Sequence, residues 1–283
     1  MSASKSQLAW HIEWQRTVTE YTGKSLTFEK DIFPALQGLA KKYSPVLGKY
    51  LAGMWDSTLI YSLTWCRDYR TPRNPRLQEW RAPTWSWASV DGKISFSKKF
   101  EGQFPRTFAT VVSATTIPKG NDVTGELSLA LLVLKGKSLS GRLVGTMIHV
   151  SQRPSRSTRG VPHDINLALS FSMTPFQGND FHRNDFRLEG GGLFFDYLFE
   201  NPGPHHVADG SEVFLMKVDE TSYKIEHRPD HRLQRWLIFR KIDEENLAYE
   251  RIGILKMVLG EPDTQTMARL YEDSAKEMEV MIV

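Results

Sequence analysis

The chain has a single cysteine, Cys66, so it can form no internal disulfide and gains nothing from an oxidising compartment. Long apolar runs are also lacking. The longest, Leu127–Leu134, falls far short of the roughly 20 residues that a membrane-spanning helix needs. No apolar stretch follows Met1-Ser2-Ala3-Ser4-Lys5, so no secretory signal is expected there. Excess charge is scarce: a formal +3 over 283 residues leaves no electrostatic footprint for nucleic acid. Together these absences predict a soluble, cytoplasmic protein with neither a membrane nor a nucleic-acid partner. With 40% hydrophobic and 24% charged residues, the composition is that of a globular chain able to bury a substantial core.

Tryptophan is what the sequence has in plenty, and it is unevenly spread. Trp10, Trp14, Trp55, Trp65, Trp80, Trp85 and Trp87 all precede residue 88, leaving only Trp236 beyond. The hydrophobic period changes at about the same place, from helical to strand-like. Trp10, Trp14, Val18 and Tyr21 predict an amphipathic helix ending at Gly23. A second helix is expected within Ser25–Tyr43, with Ile32, Leu36, Leu39, Ala40 and Tyr43 on one face. Thr27 and Asp31 can both cap it, and Pro34 favours Asp31, because a proline is tolerated in a first turn. Leu51, Met54, Trp55, Leu59, Leu63 and Cys66 predict a third helix over Leu47–Cys66, with Gly53 costing about 1 kcal/mol inside it.

Beyond an arginine-rich loop, Asp68–Arg81, the pattern alternates. Trp85 and Trp87 are expected on one face of a strand, and Asp91-Gly92 as a hairpin turn leading to Ile94 and Phe96. Further strands are predicted at Phe108–Thr116, Leu127–Leu134, Leu143–Val150, Leu167–Met173, Leu193–Phe199, Val213–Val218, Trp236–Ile242 and Arg251–Val258, with a late helix from Thr264 to about Lys276. The expected fold class is α+β. A helical cluster over residues 1–67 packs on an antiparallel β-rich body, 68–283, as one continuous unit.

Recognisable chemistry is sparse. There is no nucleophile elbow, phosphate loop or zinc-protease helix motif. Cys66 falls on the apolar stripe of its predicted helix with no basic neighbour, which reads as inert. His205 and His206 are adjacent and point opposite ways in extended chain. His163-Asp164, His182 with Asp185, and His227 with His231 lack a second pair at metal-site spacing, and Pro229 interrupts the last. Gly190-Gly191-Gly192 precedes a strand and not a helix, so it reads as a bulge or turn, as do Gly141 and Gly145. The five arginines of Arg67–Arg81 could meet phosphates beside Trp80, but pairing with Asp68 and Glu79 in a solvated loop is favoured. No cofactor and no metal are expected. A fully buried indole removes ~150–250 Å² from water, roughly 4–6 kcal/mol as an upper bound. Trp14, Trp55, Trp65, Trp85 and Trp87 are therefore read as structural anchors.

Several segments occur in a recognisable order. They are Trp14 with Val18 and Tyr21; Leu26-Thr27; Asp31 with Pro34-Ala35-Leu36 and Gly38-Leu39-Ala40; Tyr50-Leu51-Ala52-Gly53-Met54-Trp55; Leu63-Thr64-Trp65; and Arg81-Ala82-Pro83-Thr84-Trp85-Ser86-Trp87-Ala88-Ser89-Val90-Asp91-Gly92. This order resembles the region that follows the HET domain in fungal heterokaryon-incompatibility proteins, and Tyr249-Glu250-Arg251-Ile252-Gly253 looks like a late strand motif of the same family. The motifs add Asp31, Arg81 and Arg251 to the expected anchors. The resemblance implies a part in non-self recognition between hyphae and in programmed cell death. The family's HET domain has been likened to TIR-type folds, some of which cleave nucleotides. It carries a Tyr-x-x-Leu-Ser-Tyr-x-Trp-Gly motif and a Cys-Ile-Asn-Gln stretch, and neither occurs in this chain. With Met1 opening the chain, either a gene product shortened relative to the large family members or a fragment excised from one is expected.

The leading expectation is a non-catalytic scaffold or regulatory module whose partner is a protein, a HET domain or another incompatibility factor. The alternative is a carbohydrate or small-ligand binding module using Trp80, Trp85 and Trp87, which a soluble quencher would reach and a ligand protect. A hydrolase built on His205 or His206 with Asp209 is the third reading, and needs those groups to converge.

Overall fold

The computed structural model describes residues 2–24, 26, 28–68, 73–96, 103–146, 166–171, 186–189, 193–199, 203, 205–223, 231–243, 245, 247–259, 269 and 271–283. Helix α1, Ser2–Thr22, stops where the spacing predicts and buries Trp14 and Val18. The second helix is shorter than expected. Two 3-10 segments, Glu29–Ile32 and Pro34–Leu36, lead into α2, Gln37–Leu47. Asp31 lies inside the first of them and no side chain caps it, so the expected capping role of Asp31 is corrected. The 3-10 turns also rotate the apolar face: Leu36, Ala40, Tyr43 and Leu47 are buried while Leu39 is exposed. Gly48 ends α2 at φ 86°.

The helix expected over Leu47–Cys66 does not form. Strands β1, Tyr50–Leu51, and β2, Met54–Trp55, make a tight hairpin in which Tyr50 faces Trp55. Its turn, Ala52-Gly53, has φ 48° and 87°, positive at both central residues, which right-handed strand twist favours and a helix forbids. A 3-10 turn, Asp56–Thr58, and the short helix α3, Leu59–Ser62, follow. Apolar spacing misleads here because the hairpin, Tyr50 to Trp55, is buried on every side. Cys66 lies on β3, Cys66–Arg67, paired with β4, Ile94–Ser95. The indoles of Trp85 and Trp87 do not share a strand face either. The chain turns at Pro83–Ser86 and then forms a 3-10 segment, Trp87–Ser89, in which Ser86 Oγ accepts from the Ala88 N–H. Asp91-Gly92 therefore joins this segment to β4 and closes no hairpin.

The body is one large sheet. Its strands are β5 (Arg106–Thr107), β6 (Ala109–Pro118), β7 (Leu127–Thr146), β8 (Asn166–Phe171), β9 (Phe186–Glu189), β10 (Leu193–Phe195), β11 (Glu212–Tyr223), β12 (His231–Asp243), β13 (Ala248–Leu259) and β14 (Lys276–Ile282). The two strands expected around Leu127–Leu134 and Leu143–Val150 are one continuous β7. Its length lets it pair with β14 on one side and with β11 on the other, meeting Lys276 and Met216 at Ser138. With β11–β12, β12–β13 and β13–β14 the pairings close into a ring. The ring is antiparallel except at β13–β14, which is parallel. β14 replaces the end of the predicted late helix. A helical turn occupies 271–274, after which Met278, Val280 and Ile282 alternate with Glu277 and Glu279. The architecture is thus α+β: N-terminal helices, a mostly antiparallel sheet and a short C-terminal helix. No described helix is long and apolar enough to cross a membrane.

Among the described residues two buried clusters hold the sheet. The larger runs from Trp14, Trp55, Trp85 and Trp87 onto Leu132, Leu134, Met216, Leu237, Ile254 and Ile282. The smaller gathers Tyr197, Phe199, Val213, Trp236 and Leu255, with Tyr271 edge-on to Trp236 at 4.9 Å.

Candidate functional site

The motif residues converge on the β1–β2 turn. Gly53 O accepts hydrogen bonds from two indoles, Trp14 Nε1 at 3.0 Å and Trp87 Nε1 at 2.9 Å. Ser86 Oγ donates to Ala52 O at 2.7 Å. A Cβ at Gly53 would stand 2.7 Å from the Trp87 ring, so glycine is required there for space as well as for φ. Trp65 Nε1 donates to Trp85 O at 2.9 Å. Arg81 threads the segment, its Nε bonding Ala88 O at 2.8 Å and its Nη2 reaching Val90 O and Asp91 Oδ1 at 3.2 and 3.0 Å. Tyr21 OH donates to Ile32 O at 3.1 Å, so the Asp31 region is held through its backbone.

Arg251, on β13, closes the same knot from the sheet. It is fully buried, with Nη1 on Leu63 O and Nη2 on Trp65 O, both at 2.6 Å, and Nε on Asp196 Oδ2 at 2.9 Å. Its guanidinium lies 3.7 Å from the Trp65 ring centroid. Burial pushes the Asp196 carboxyl above the ordinary aspartate value and lowers Arg251, while each partner opposes the other's shift. With this many charge-assisted bonds the ion pair is the species held there.

Glu250, the preceding residue, faces the other way, as strand geometry demands. Its Oε1 accepts from Tyr197 OH at 2.6 Å and from Arg240 Nε. Glu250 lines a cleft of about 260 Å³ whose walls include Arg76, Gln78, Trp80, His205 and Ile242. Arg76 is buried, lies 4.1 Å over the Tyr197 ring and donates Nη2 to Arg251 O at 3.1 Å. Its Nε is buried without a partner among the described residues, and its Nη1 makes no hydrogen bond there. The His205 ring stands 6.2 Å from Tyr197, edge to face, and its nitrogens make no hydrogen bond among the described residues. Burial lowers its pKa below the ordinary histidine value, with Arg76 adding to the effect. Trp80 is 47% exposed, whereas Trp85 and Trp87 are wholly buried, so of the three only Trp80 can meet a ligand.

The other sequence candidates scatter. Cys66 does have a basic neighbour: Lys256 Nζ lies 3.0 Å from its sulfur, with Ser95 Oγ at 3.2 Å on another side. The expectation of an inert thiol without one is corrected, because strand β13 brings Lys256 from far along the chain. Of the arginines of Arg67–Arg81, Arg67 and Arg76 are not solvated, and Arg70 lies outside the described residues. Arg67 and Arg76 are buried and donate to the backbone oxygens of Asp91 and Arg251. His206 Nδ1 meets Phe199 O at 3.0 Å and so faces away from the cleft that His205 lines. Gly141 and Gly145 lie within β7. His163, Asp164, His182, Asp185, Gly190–Gly192, His227 and Pro229 lie outside the described residues, as does the loop Gln152–His163. Among the described residues no three His, Cys, Asp or Glu side chains gather as a metal site. The cleft itself escaped sequence reading. Its groups come from positions 76–80, 205, 242 and 250, and periodicity says nothing about loops that meet at such separations.

Comparison of the chain with protein-family models, with curated proteins and with solved structures returned no match.

Proposed function

We propose that the chain is a non-catalytic scaffold or regulatory region of a heterokaryon-incompatibility protein, built to pack against a HET domain or another protein of that system. One observation supports this above the rest. Of the residues that carry the resemblance, Trp14, Trp65, Arg81, Ser86, Trp87 and Arg251 donate to backbone carbonyls inside the fold, Gly53 O accepting from two of them. A motif whose side chains are consumed in this way specifies a shape and presents no reacting group.

Mixing the purified chain with a purified HET domain tests the partner, and co-elution on size exclusion is expected. The chain alone is expected to cleave neither NAD nor simple ester and glycoside substrates. Turnover abolished by Glu250→Gln or His205→Ala would sink the non-catalytic reading, and failure to associate would sink the partner.

A further inference from the structure

We propose that the cleft beneath Trp80 binds a neutral, hydroxylated ring of monosaccharide size. At about 260 Å³ it is smaller than the roughly 300–1,000 Å³ clefts that take drug-sized ligands, and suits a single ring. Its rim carries the exposed Trp80 indole, a flat apolar face on which the C–H face of a pyranose can lie, with Leu77, Ala82 and Ile242 adding apolar wall. Its polar groups are of both kinds. Arg76 Nη1 is a donor without a partner among the described residues. Glu250 Oε2 is an acceptor in the same condition, since Tyr197 and Arg240 both engage Oε1. The His205 imidazole supplies one of each.

Charge argues for a neutral ligand. Arg76 and Arg81 are matched by Glu79 and Glu250, Arg81 is already paired with Asp91, and Glu250 with Arg240. A net anion or cation would meet as much repulsion as attraction. The arrangement also argues against a flat heterocycle, which needs its partners in one plane. Here they come from the 76–80 loop, from position 205 and from β13, and hydroxyls spread around a ring, each donor and acceptor at once, match that spread. The site is held in shape before any ligand arrives: Tyr197 is pinned between Arg76 and Glu250, and Arg240 bonds both Glu250 and His206 O.

The test uses the purified chain with the methyl glycosides of glucose, galactose, mannose and N-acetylglucosamine, read by saturation-transfer NMR and by quenching of tryptophan emission. Saturable binding of at least one sugar is expected in the millimolar range, with protection of the quenchable indole. Trp80→Ala should weaken that binding about tenfold or more and His205→Ala about threefold, with thermal melts unchanged. If Trp80→Ala fails to fold, the His205→Ala titration decides. The proposal falls if no sugar saturates, if both variants bind as the parent does, or if a nucleoside monophosphate or a dicarboxylate occupies the cleft more tightly. It is independent of the scaffold reading, since co-elution with a HET domain is measured without sugar.

Discussion

Arg251 and Glu250 are consecutive on β13, yet they serve regions of opposite character. On the Arg251 side the guanidinium is consumed: Leu63 and Trp65 carbonyls, the Asp196 carboxylate and the Trp65 ring account for it. On the Glu250 side each of the main polar groups keeps an atom without a partner among the described residues, and an indole stands half in water. A closed network fixes a fold, because its members have no other partner to choose. An open one leaves bonding capacity for a visitor. The difference of one residue decides which face of the strand a side chain serves, and here that separates architecture from recognition.

Breaking the closed side should have the largest effect. Arg251→Met leaves the Asp196 carboxyl buried and two carbonyls without donors, and is expected to cost about 3–5 kcal/mol in urea denaturation. The cost should fall in the double variant Arg251→Met, Asp196→Leu, if the stranded charge is the cause.

The two imidazoles sharpen the contrast through pH. His11 is wholly buried, its Nε2 facing the Gln15 amide at 2.9 Å, and burial takes its pKa down to about 3. Its folded pKa lies below the unfolded value of about 6.5, so the unfolded chain binds the extra proton as pH falls. The stability it contributes is full above pH 6.5 or so and drains away below, by roughly 3 kcal/mol on reaching about pH 4. His11→Gln should flatten that slope. His205 is only part-buried and titrates lower than a free histidine for the same reason, so NMR titration should show the His205 ring charging at a higher pH than the His11 ring.

Gly53→Ala comes next. The added Cβ meets the rigid Trp87 ring and the positive φ is disfavoured, for an expected loss of about 2 kcal/mol. The smallest effect belongs to the open side: Trp80→Ala should change stability by no more than about 0.5 kcal/mol while removing most of the acrylamide-quenchable emission.

How far the sequence could reveal this is uneven, and the reasons are physical. Helix α1 and the long strands are legible because each buries one face and wets the other, so period reports structure directly. The β1–β2 hairpin is not, since burial on all sides lets apolar residues fall at helical spacing by accident. Gly48 and the Ala52-Gly53 pair were the available signals, two chain reversals five residues apart. Trp85 and Trp87 alternate as strand residues do, but Pro83 and the Ser86 cap hold them in a turn and a 3-10 segment. Met278, Val280 and Ile282 alternate clearly, yet the helical spacing ahead of them masked it. Buried indoles were foreseeable from area alone. That Glu250, His205, Arg76 and Trp80 share a cleft was not, because they come from three separate excursions of the chain, with only Arg76 and Trp80 on the same one.

Leu63 and Trp65 bond a side chain that lies 188 and 186 positions further on. During synthesis those two carbonyls, and the tryptophans around them, must wait for the 188 and 186 residues that separate them from their partner to be made. In that interval the aromatic segment has no sheet to cover it, a condition in which distant pairings slow folding and exposed apolar surface favours aggregation. Expression at low temperature or with added chaperone should therefore raise the soluble yield well before any substitution does.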